Sequence, residues 1–138
     1  MTVITKMLIS ILTALAISCT ANGQNSPPKP VKLVAPSYPE VMVLTKVAGN
    51  VILSLSVGSD GNVKKVHFID GVRPLAKISE QAARKWIFPQ TKRRSLRRVR
   101  VTFLYTLLPS TANIDEEGTF YYEPNYVELR ARKVDVRP

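Results

Sequence analysis

The chain has 138 residues, of which 45% are hydrophobic and 22% are charged, a composition typical of one modest globular domain. Its formal net charge is +10, with 15 Lys and Arg against 4 Asp and Glu in residues 27–109 and 4 against 6 in residues 110–138. A basic body with a mildly acidic tail favours an anionic partner, or a tail that folds back on its own domain. The single cysteine, Cys19, excludes an internal disulfide.

The N-terminus has the pattern of an export signal. Lys6 precedes the 12-residue apolar run MLISILTALAIS, which is too short to cross a bilayer of about 30 Å as a helix. We therefore predict a signal peptide over residues 1–23 and a mature protein that lies outside the cytoplasm.

Cys19 ends this apolar run in the sequence LAISC. That sequence is similar to the lipobox at which bacterial lipoproteins are cleaved and lipidated, although Ala16 stands where the motif prefers Leu. Cys19 is thus a candidate lipidation site that would anchor the chain to the cell envelope. Ordinary cleavage after Gly23 would instead discard this cysteine, and the sequence leaves both alternatives open.

Prolines dominate the residues that follow the signal. Those in the sequence PPKP predict an extended, proline-rich tether over residues 24–35. Pro36 and Pro39 forbid a central strand between them, so we predict an extended segment there. A short helical turn is expected next, around residues 40–45.

Apolar and polar residues then alternate on both sides of Asp60-Gly61. This dipeptide predicts a two-residue type I′ turn, because Asp and Gly best tolerate the positive φ that both central positions need. A slip of one residue would mix the two faces, so the pattern selects one register. The predicted pairs are Leu55 with Val66 and Leu53 with Phe68 on the apolar face, and Ser56 with Lys65 and Ser54 with His67 on the polar face.

The period becomes helical between Pro74 and Pro89. Charged and amide side chains lie opposite an apolar stripe that consists of Leu75, Ile78, Ala82 and Trp86. We predict an amphipathic helix of about twelve residues on the apolar face of the hairpin.

Residues 99–107, with the sequence VRVTFLYTL, alternate again and predict a third strand. The order strand, strand, helix, strand predicts an α+β fold: a small three-stranded antiparallel sheet with a helix packed on one face. The tail, residues 110–138, contains the strand-like runs TFYY and NYVEL. It either adds strands to the sheet, by an antiparallel return after a bend at 115–118, or remains disordered.

Three stretches follow one another in a recognisable order: SYPE at 37–40, AGNVILSLSVGSDGNVKKVHF at 48–68 and ISEQAARKWIFPQ at 78–90. Together they resemble the C-terminal domain of the TonB energy-transducer family over about residues 33–107. The positions that fill the family pattern are Tyr38, Pro39, Gly49, Asp60, Gly61, Trp86, Phe88 and Pro89. The resemblance implies a TonB C-terminal-like domain, which we place at residues 36–109. We expect these positions to be structural, with Trp86 and Phe88 as core anchors.

The resemblance implies a periplasmic protein-interaction module associated with TonB-type transport across the envelope. Domains of this family pair the last strand of the sheet with an extended peptide of an outer-membrane transporter, by β-strand addition to an exposed edge. A homodimer formed by edge pairing, or coverage of the edge by the tail, would use the same groups. In this chain the implied edge consists of Val99, Arg100, Val101, Thr102, Phe103, Leu104 and Tyr105.

Full energy transducers of this family have an uncleaved membrane helix and a long proline-rich spanner. Here the apolar run has the pattern of a cleaved signal, and the tether is too short to reach from the inner to the outer membrane. The resemblance therefore implies the recognition module without the motor connection.

A basic run offers a second function. It comprises Lys92, Arg93, Arg94, Arg97, Arg98 and Arg100, enough positive charge to bind anionic lipid or polymer surfaces of the envelope. Nucleic acid is not an expected partner, because no aromatic residues are interleaved there and the protein is predicted to be exported. A third interpretation is a solvated loop whose cations pair with Asp115, Glu116 and Glu117.

Catalytic residues do not form a recognisable constellation. His67 is the sole histidine and lies on the polar face of the hairpin, and Asp60 already has a turn role. The remaining acids are scattered, and no phosphate loop or metal-ligand spacing occurs. We expect a protein that is not an enzyme and that uses no cofactor or metal.

Overall fold

A computed structural model describes residues 27–135. Its elements in chain order are helix α1 (Glu40–Leu44), strands β1 (Gly49–Val57) and β2 (Val63–Gly71), helix α2 (Arg73–Ala83), strand β3 (Arg97–Leu108), a 3₁₀ turn (Ile114–Glu116), and strands β4 (Gly118–Tyr122) and β5 (Tyr126–Arg132). The strands form one five-stranded sheet in the order β2-β1-β3-β5-β4. The α+β class is confirmed. The sheet has five strands rather than three, because the tail adds two, which is one of the two alternatives predicted for it.

The β1–β2 hairpin has the predicted register. All four predicted pairs are present, with Leu55 opposite Val66, Leu53 opposite Phe68, Ser56 opposite Lys65 and Ser54 opposite His67. The apolar face of β1 is fully buried, whereas Ser54 and Ser56 remain partly accessible on the other face. Burial of one face therefore specifies this register, as the alternation predicts.

The turn of this hairpin differs from the prediction. The N–H of Gly58 donates to the carbonyl of Asn62 (2.9 Å), and the N–H of Gly61 donates to the carbonyl of Gly58 (3.0 Å). Gly61 alone has a positive φ (84°) in the loop, so the loop has three residues with a left-handed glycine at its end. The predicted two-residue type I′ turn is wrong. Hydrogen bonds from Lys64 and Asn62 to the Asp60 carboxylate lower the pKa of Asp60 to about 2.

Helix α2 covers the apolar face of the sheet next to β1 and β2. Leu75 and Ala82 of the predicted stripe are buried, Ile78 is half-buried, and Trp86 is buried just beyond the end of the helix. The buried cluster continues across the sheet through alternate residues of β3 and into β5, where Val127 and Leu129 complete it. The core therefore extends from the hairpin into the tail.

The tail enters the sheet in an unexpected direction. Strand β5 lies parallel to β3, from Thr102 opposite Tyr126 to Leu108 opposite Arg132. Strand β4 pairs with β5 in the antiparallel sense on the outside. The predicted antiparallel return onto β3 is wrong, because the more apolar β5 takes the inner position and β4 the outer one.

The described part of the predicted tether, residues 27–35, lies against the domain. Residues 31 and 32 bond with Ile87 through three backbone hydrogen bonds of 2.8–3.1 Å. The indole Nε1 of Trp86 donates to the carbonyl of Val34 (2.7 Å). An isolated β-bridge between Lys32 and Ile87 accompanies these hydrogen bonds, so this part of the chain is held against the domain. The predicted signal peptide and Cys19 lie outside the described residues.

Candidate functional site

The family-pattern residues contact one another at one end of the sheet. The carbonyl of Gly61 accepts the N–H of Phe88 (2.8 Å), and a side chain at Gly61 would lie only 2.0 Å from the carbonyl oxygen of Phe88. Glycine is thus required here both for its φ and for this close approach. The Asp60-Gly61 turn and the Trp86–Pro89 segment form one structural unit.

The other family-pattern residues hold the start of the domain. Pro39 caps α1, and the hydroxyl of Tyr38 donates to the carbonyl of Val47. The ring of Tyr38 lies edge-on to that of Tyr105, with centroids 5.2 Å apart. Gly49 has a φ of 132°, and a side chain there would meet Val72 at 2.7 Å. All of these contacts fall within the domain, as expected for structural positions.

The implied peptide-binding strand is not an edge strand over its whole length. β1 pairs with β3 on one side along Arg97–Tyr105, and β5 pairs with it on the other side from Thr102 onward. The prediction of an open edge is therefore wrong for Thr102, Phe103, Leu104 and Tyr105. No strand of the described residues pairs with the outer side of residues 97–101, which we call the free half of β3.

The backbone of the free half is oriented for strand addition. The N–H of Thr102 donates outward to the carbonyl of Asn125 (3.1 Å). Because alternate residues of a strand point their N–H and C=O groups to the same side, those of Arg98 and Arg100 face the same outer edge. Val99 and Val101, which alternate with these arginines along the strand, have buried side chains. A cavity of about 510 Å³ lies beside this edge, bounded by Pro27, Pro28 and Pro124.

Strand β5 is an integral part of the domain. The side chains of Val127 and Leu129 are 0% and 4% exposed in the core. The Glu117 carboxylate accepts both the Nε (2.8 Å) and the backbone N–H (2.9 Å) of Arg132, and these hydrogen bonds lower the pKa of Glu117. Residues 102–108, which we call the covered half of β3, are therefore closed by packing as well as by backbone pairing.

Asn125 joins the tail to the other parts of the domain. This buried residue has a φ of 56°, and its side-chain amide donates to the carbonyl of Pro28 (3.2 Å). Its backbone carbonyl accepts the N–H of Thr102 (3.1 Å), and its side-chain oxygen accepts a hydrogen bond from the Tyr121 hydroxyl (3.3 Å). Sequence reasoning missed Asn125, although Pro-Asn between two strand-like runs is a turn signal, and Asn tolerates positive φ.

The basic run divides into three groups. Arg97 points to the core side, where its Nη2 donates to the carbonyl of Pro89 (2.7 Å). Arg98 and Arg100 project from the opposite, uncovered face of the sheet, and Lys92, Arg93 and Arg94 are exposed in the loop before β3. The third interpretation, in which these cations pair with acids of the tail, is wrong within residues 27–135, since Glu117 binds Arg132 and no ion pair joins the run to Asp115 or Glu116.

The uncovered face carries a groove next to the hairpin. Ser56 lies between Lys65 and Arg98 on neighbouring strands, and Ser54 lies between His67 and Arg100. We call these six residues the open-face groove. They line a concave space of about 810 Å³ together with Ile69 and Leu96. Among the described residues, no group of three His, Cys, Asp or Glu side chains could hold a metal ion.

No helix within residues 27–135 has the length and apolar character needed to span a membrane.

The comparison with protein families agrees with the sequence motifs. The family model described as the Gram-negative bacterial TonB protein C-terminal matches residues 34–107, slightly more than half of the chain. No curated protein matches the chain significantly. Among solved structures, the chain is similar to the solution NMR structure of the Pseudomonas aeruginosa TonB CTD, with 22% identity, coverage of 59% of this chain and 87% of that chain, and a TM-score of 0.47.

Proposed function

The chain belongs to the Gram-negative bacterial TonB C-terminal family, and from that premise we propose that it is a periplasmic module that binds extended peptides of outer-membrane transporters by strand pairing. The family serves energy transduction for transport across the envelope, and its domains interact with outer-membrane transporters. The binding site in this proposal is the free half of β3. A homodimer formed through the same edge is the competing use of this site.

The unpaired outward groups of Arg98 and Arg100 support this site most directly. Two residues supply about four backbone hydrogen bonds to an added strand. The added strand would lie end to end with β5, which begins to pair only at Thr102. Arg98 and Arg100 also discourage pairing with a second copy through like charge, while attracting an acidic peptide.

A peptide that pairs with more of β3 than residues 97–101 would have to displace β5 from the sheet. Burial of a Val or Leu side chain contributes roughly 1.5–3 kcal/mol, so exposing Val127 and Leu129 would cost several kcal/mol. A peptide that pairs only with residues 97–101 avoids this cost. The proposed site is therefore short, and specificity would depend on side-chain contacts with Arg98, Arg100 and the proline-bounded cavity.

Photo-crosslinking in intact cells tests the proposal. A photoreactive amino acid would replace Arg98 on the free half, Thr106 on the covered half, or exposed Lys77 on α2 as the control. We expect the Arg98 position alone to capture an outer-membrane transporter. Capture from both Arg98 and Thr106 would show that the peptide displaces β5, whereas capture no greater than from Lys77 would contradict strand addition at β3.

A second candidate function is binding of anionic lipid or polymer surfaces through residues 92–100. The observation that favours it is the exposure of five of its six cations, Lys92, Arg93, Arg94, Arg98 and Arg100. None of these five forms an ion pair with a described carboxylate. Its test is binding of the purified protein to anionic vesicles, which should weaken steeply with added salt.

A further inference from the structure

We infer that the open-face groove binds the phosphate-bearing headgroups of an anionic lipid surface. The inference rests on the second candidate function, to which it adds a site and a ligand class. Four of the six groove residues, namely Ser54, Ser56, Lys65 and His67, lie outside the basic run and come to it only through the pairing of three strands.

The strand register sets the dimensions of the groove. Lys65 and Arg98 flank Ser56 from the two neighbouring strands, so their backbones are about 10 Å apart, twice the inter-strand spacing. Arg98 and Arg100 are two residues apart on one strand, which is roughly 7 Å. With this spacing, the side chains of Lys65, Arg98 and Arg100 can converge on one phosphate group held above Ser54 and Ser56.

The chemistry of the six side chains matches a phosphate. The guanidinium groups of Arg98 and Arg100 present paired donors that suit phosphate oxygens. Lys65 adds a compact charge, and the hydroxyls of Ser54 and Ser56 add donors at the floor. None of the ion pairs among the described residues involves a groove cation, so no internal carboxylate competes with a bound anion.

The rim of the groove favours a lipid surface over a soluble phosphate. Leu96 and Ile69 line the groove and are 54% and 44% exposed. Apolar side chains beside cations are typical of protein surfaces that insert into the headgroup region. Lys92, Arg93 and Arg94 precede Leu96 in the same exposed loop, and an anionic surface would attract each of these cations through its negative potential.

Vesicle co-sedimentation of the purified protein tests this site. The probes are phosphatidylcholine vesicles with and without phosphatidylglycerol, and the groove variant is Arg98→Ser/Arg100→Ser. The matched control, Lys77→Ser/Arg84→Ser, removes the same charge from one exposed position on α2 and one directly after it, and α2 covers the other face of the sheet. We expect the groove variant to bind anionic vesicles about 30-fold more weakly, since each lost cation contributes ~1 kcal/mol and 1.4 kcal/mol is tenfold. The control should lose less than about threefold, because its charges lie beyond a Debye length from the surface.

Two further variants separate the groove from diffuse charge. Lys65→Ser, on the far wall, should weaken binding in the same direction, and Leu96→Ser should weaken it without any change of charge. Equal losses in the groove and control pairs would overturn the groove while leaving the second candidate function intact. Failure of the wild-type protein to prefer anionic vesicles would overturn both. Full competition by inorganic phosphate at equal phosphate concentration would assign the site to a soluble phosphate and overturn the lipid surface.

Discussion

Trp86 joins three parts of the molecule at the level of a single residue. Its side chain is 1% exposed and lies edge-on to Phe103, with centroids 5.8 Å apart. Its Nε1 also holds the N-terminal segment through the carbonyl of Val34. We expect Trp86→Ala to lower the free energy of unfolding by about 3–5 kcal/mol through lost burial and a cavity.

Urea unfolding of both proteins measures this difference. Trp86→Phe is the matched variant, because it keeps an aromatic ring but loses the hydrogen bond and part of the volume, and it should be affected less. A Trp86→Ala variant that unfolds cooperatively with nearly unchanged stability would show that the core does not depend on this residue.

Tyr105 makes stability sensitive to alkaline pH. It is 1% exposed, and burial raises its pKa from 10.0 to about 12, against the opposing effect of its hydrogen bond with Ser79. The hydroxyl oxygens of Tyr105 and Ser79 lie 2.7 Å apart in this hydrogen bond, and the Ser79 hydroxyl also bonds the carbonyl of Leu75 (2.8 Å). Between about pH 10 and pH 12 the folded state therefore holds a proton that the unfolded state releases, and stability is lost as the pH rises.

This loss is testable with Tyr105→Phe. The rise of the Tyr105 pKa from 10.0 to about 12 corresponds to a loss of roughly 2–3 kcal/mol in the free energy of unfolding at the upper end of this pH window. Near neutral pH, Tyr105→Phe should be less stable by about 1 kcal/mol because it lacks the hydrogen bond to Ser79. Unfolding measured at several pH values should show this gap closing within the window and changing sign by about pH 12, because the wild type then loses more stability than the hydrogen bond contributes. With exposed Tyr122→Phe as control, a constant gap for Tyr105→Phe would contradict the assignment.

At this scale, the sequence predicts burial better than backbone conformation. Trp86 and Phe88 are core residues as expected, because the burial of large aromatic side chains is strongly favourable. The φ of Asp60 was mispredicted, because Asp-Gly also fits a longer loop in which glycine alone is left-handed. Asn125 was missed because its role depends on Pro28 and Thr102, which approach it only in the folded chain.

At the scale of elements, the decisive feature is the insertion of β5 between β3 and β4. Alternation along one strand predicts which side chains are buried, and thus the hairpin register and the third strand. It does not determine which strand becomes the neighbour of β3. Val127 and Leu129 favour the inner position for β5, whereas the half-exposed aromatics of β4 fit an outer strand. The chain returns along β4 in the direction opposite to β3, and the short β4–β5 turn at Asn125 reverses it again, so β5 is parallel to β3.

Amide hydrogen exchange tests whether the tail holds this position in solution. We expect slow exchange for paired amides of β5, since they lie between two strands beside buried side chains. The amides of residues 110–113, which precede the 3₁₀ turn, serve as the internal control and should exchange faster. Exchange of residues 119–129 at the rate of an unstructured peptide would contradict the pairing and would reopen the whole edge of β3.

A double variant of β5 links this element to the proposed function. Val127→Ala/Leu129→Ala should loosen the packing of β5. It should also lower the free energy of unfolding of the whole domain by about 4 kcal/mol or more in total. If β5 limits peptide binding to the free half, this variant should crosslink transporters from Thr106 as well as from Arg98. Unchanged capture in a variant that remains folded would show that the peptide never contacts the covered half.

At the scale of the whole molecule, the N-terminal segment determines how far the domain can lie from a lipid anchor. The segment is bound to the domain from Pro28 onward. From Cys19 to Pro28 the chain can span at most about 30 Å, at roughly 3.3–3.6 Å per residue. If Cys19 carries the lipid, the domain remains close to the membrane surface. An anchored chain of this length would favour contact between the open-face groove and the same membrane.

We predict that the N-terminus is removed by a signal peptidase. Lys6 and the apolar run motivate export, and we expect the mature chain to begin at Cys19 or within a few residues of Gln24. Mass spectrometry of the protein isolated from its native cells distinguishes these cases, since a lipidated Cys19 adds the mass of its acyl chains. If Cys19 is lipidated, Cys19→Ser should move the protein from the membrane fraction to the soluble periplasmic fraction, whereas Ala21→Ser should not. An intact Met1 on the native protein would remove the signal, the anchor and the periplasmic location together, and the peptide-binding proposal would then lose its compartment.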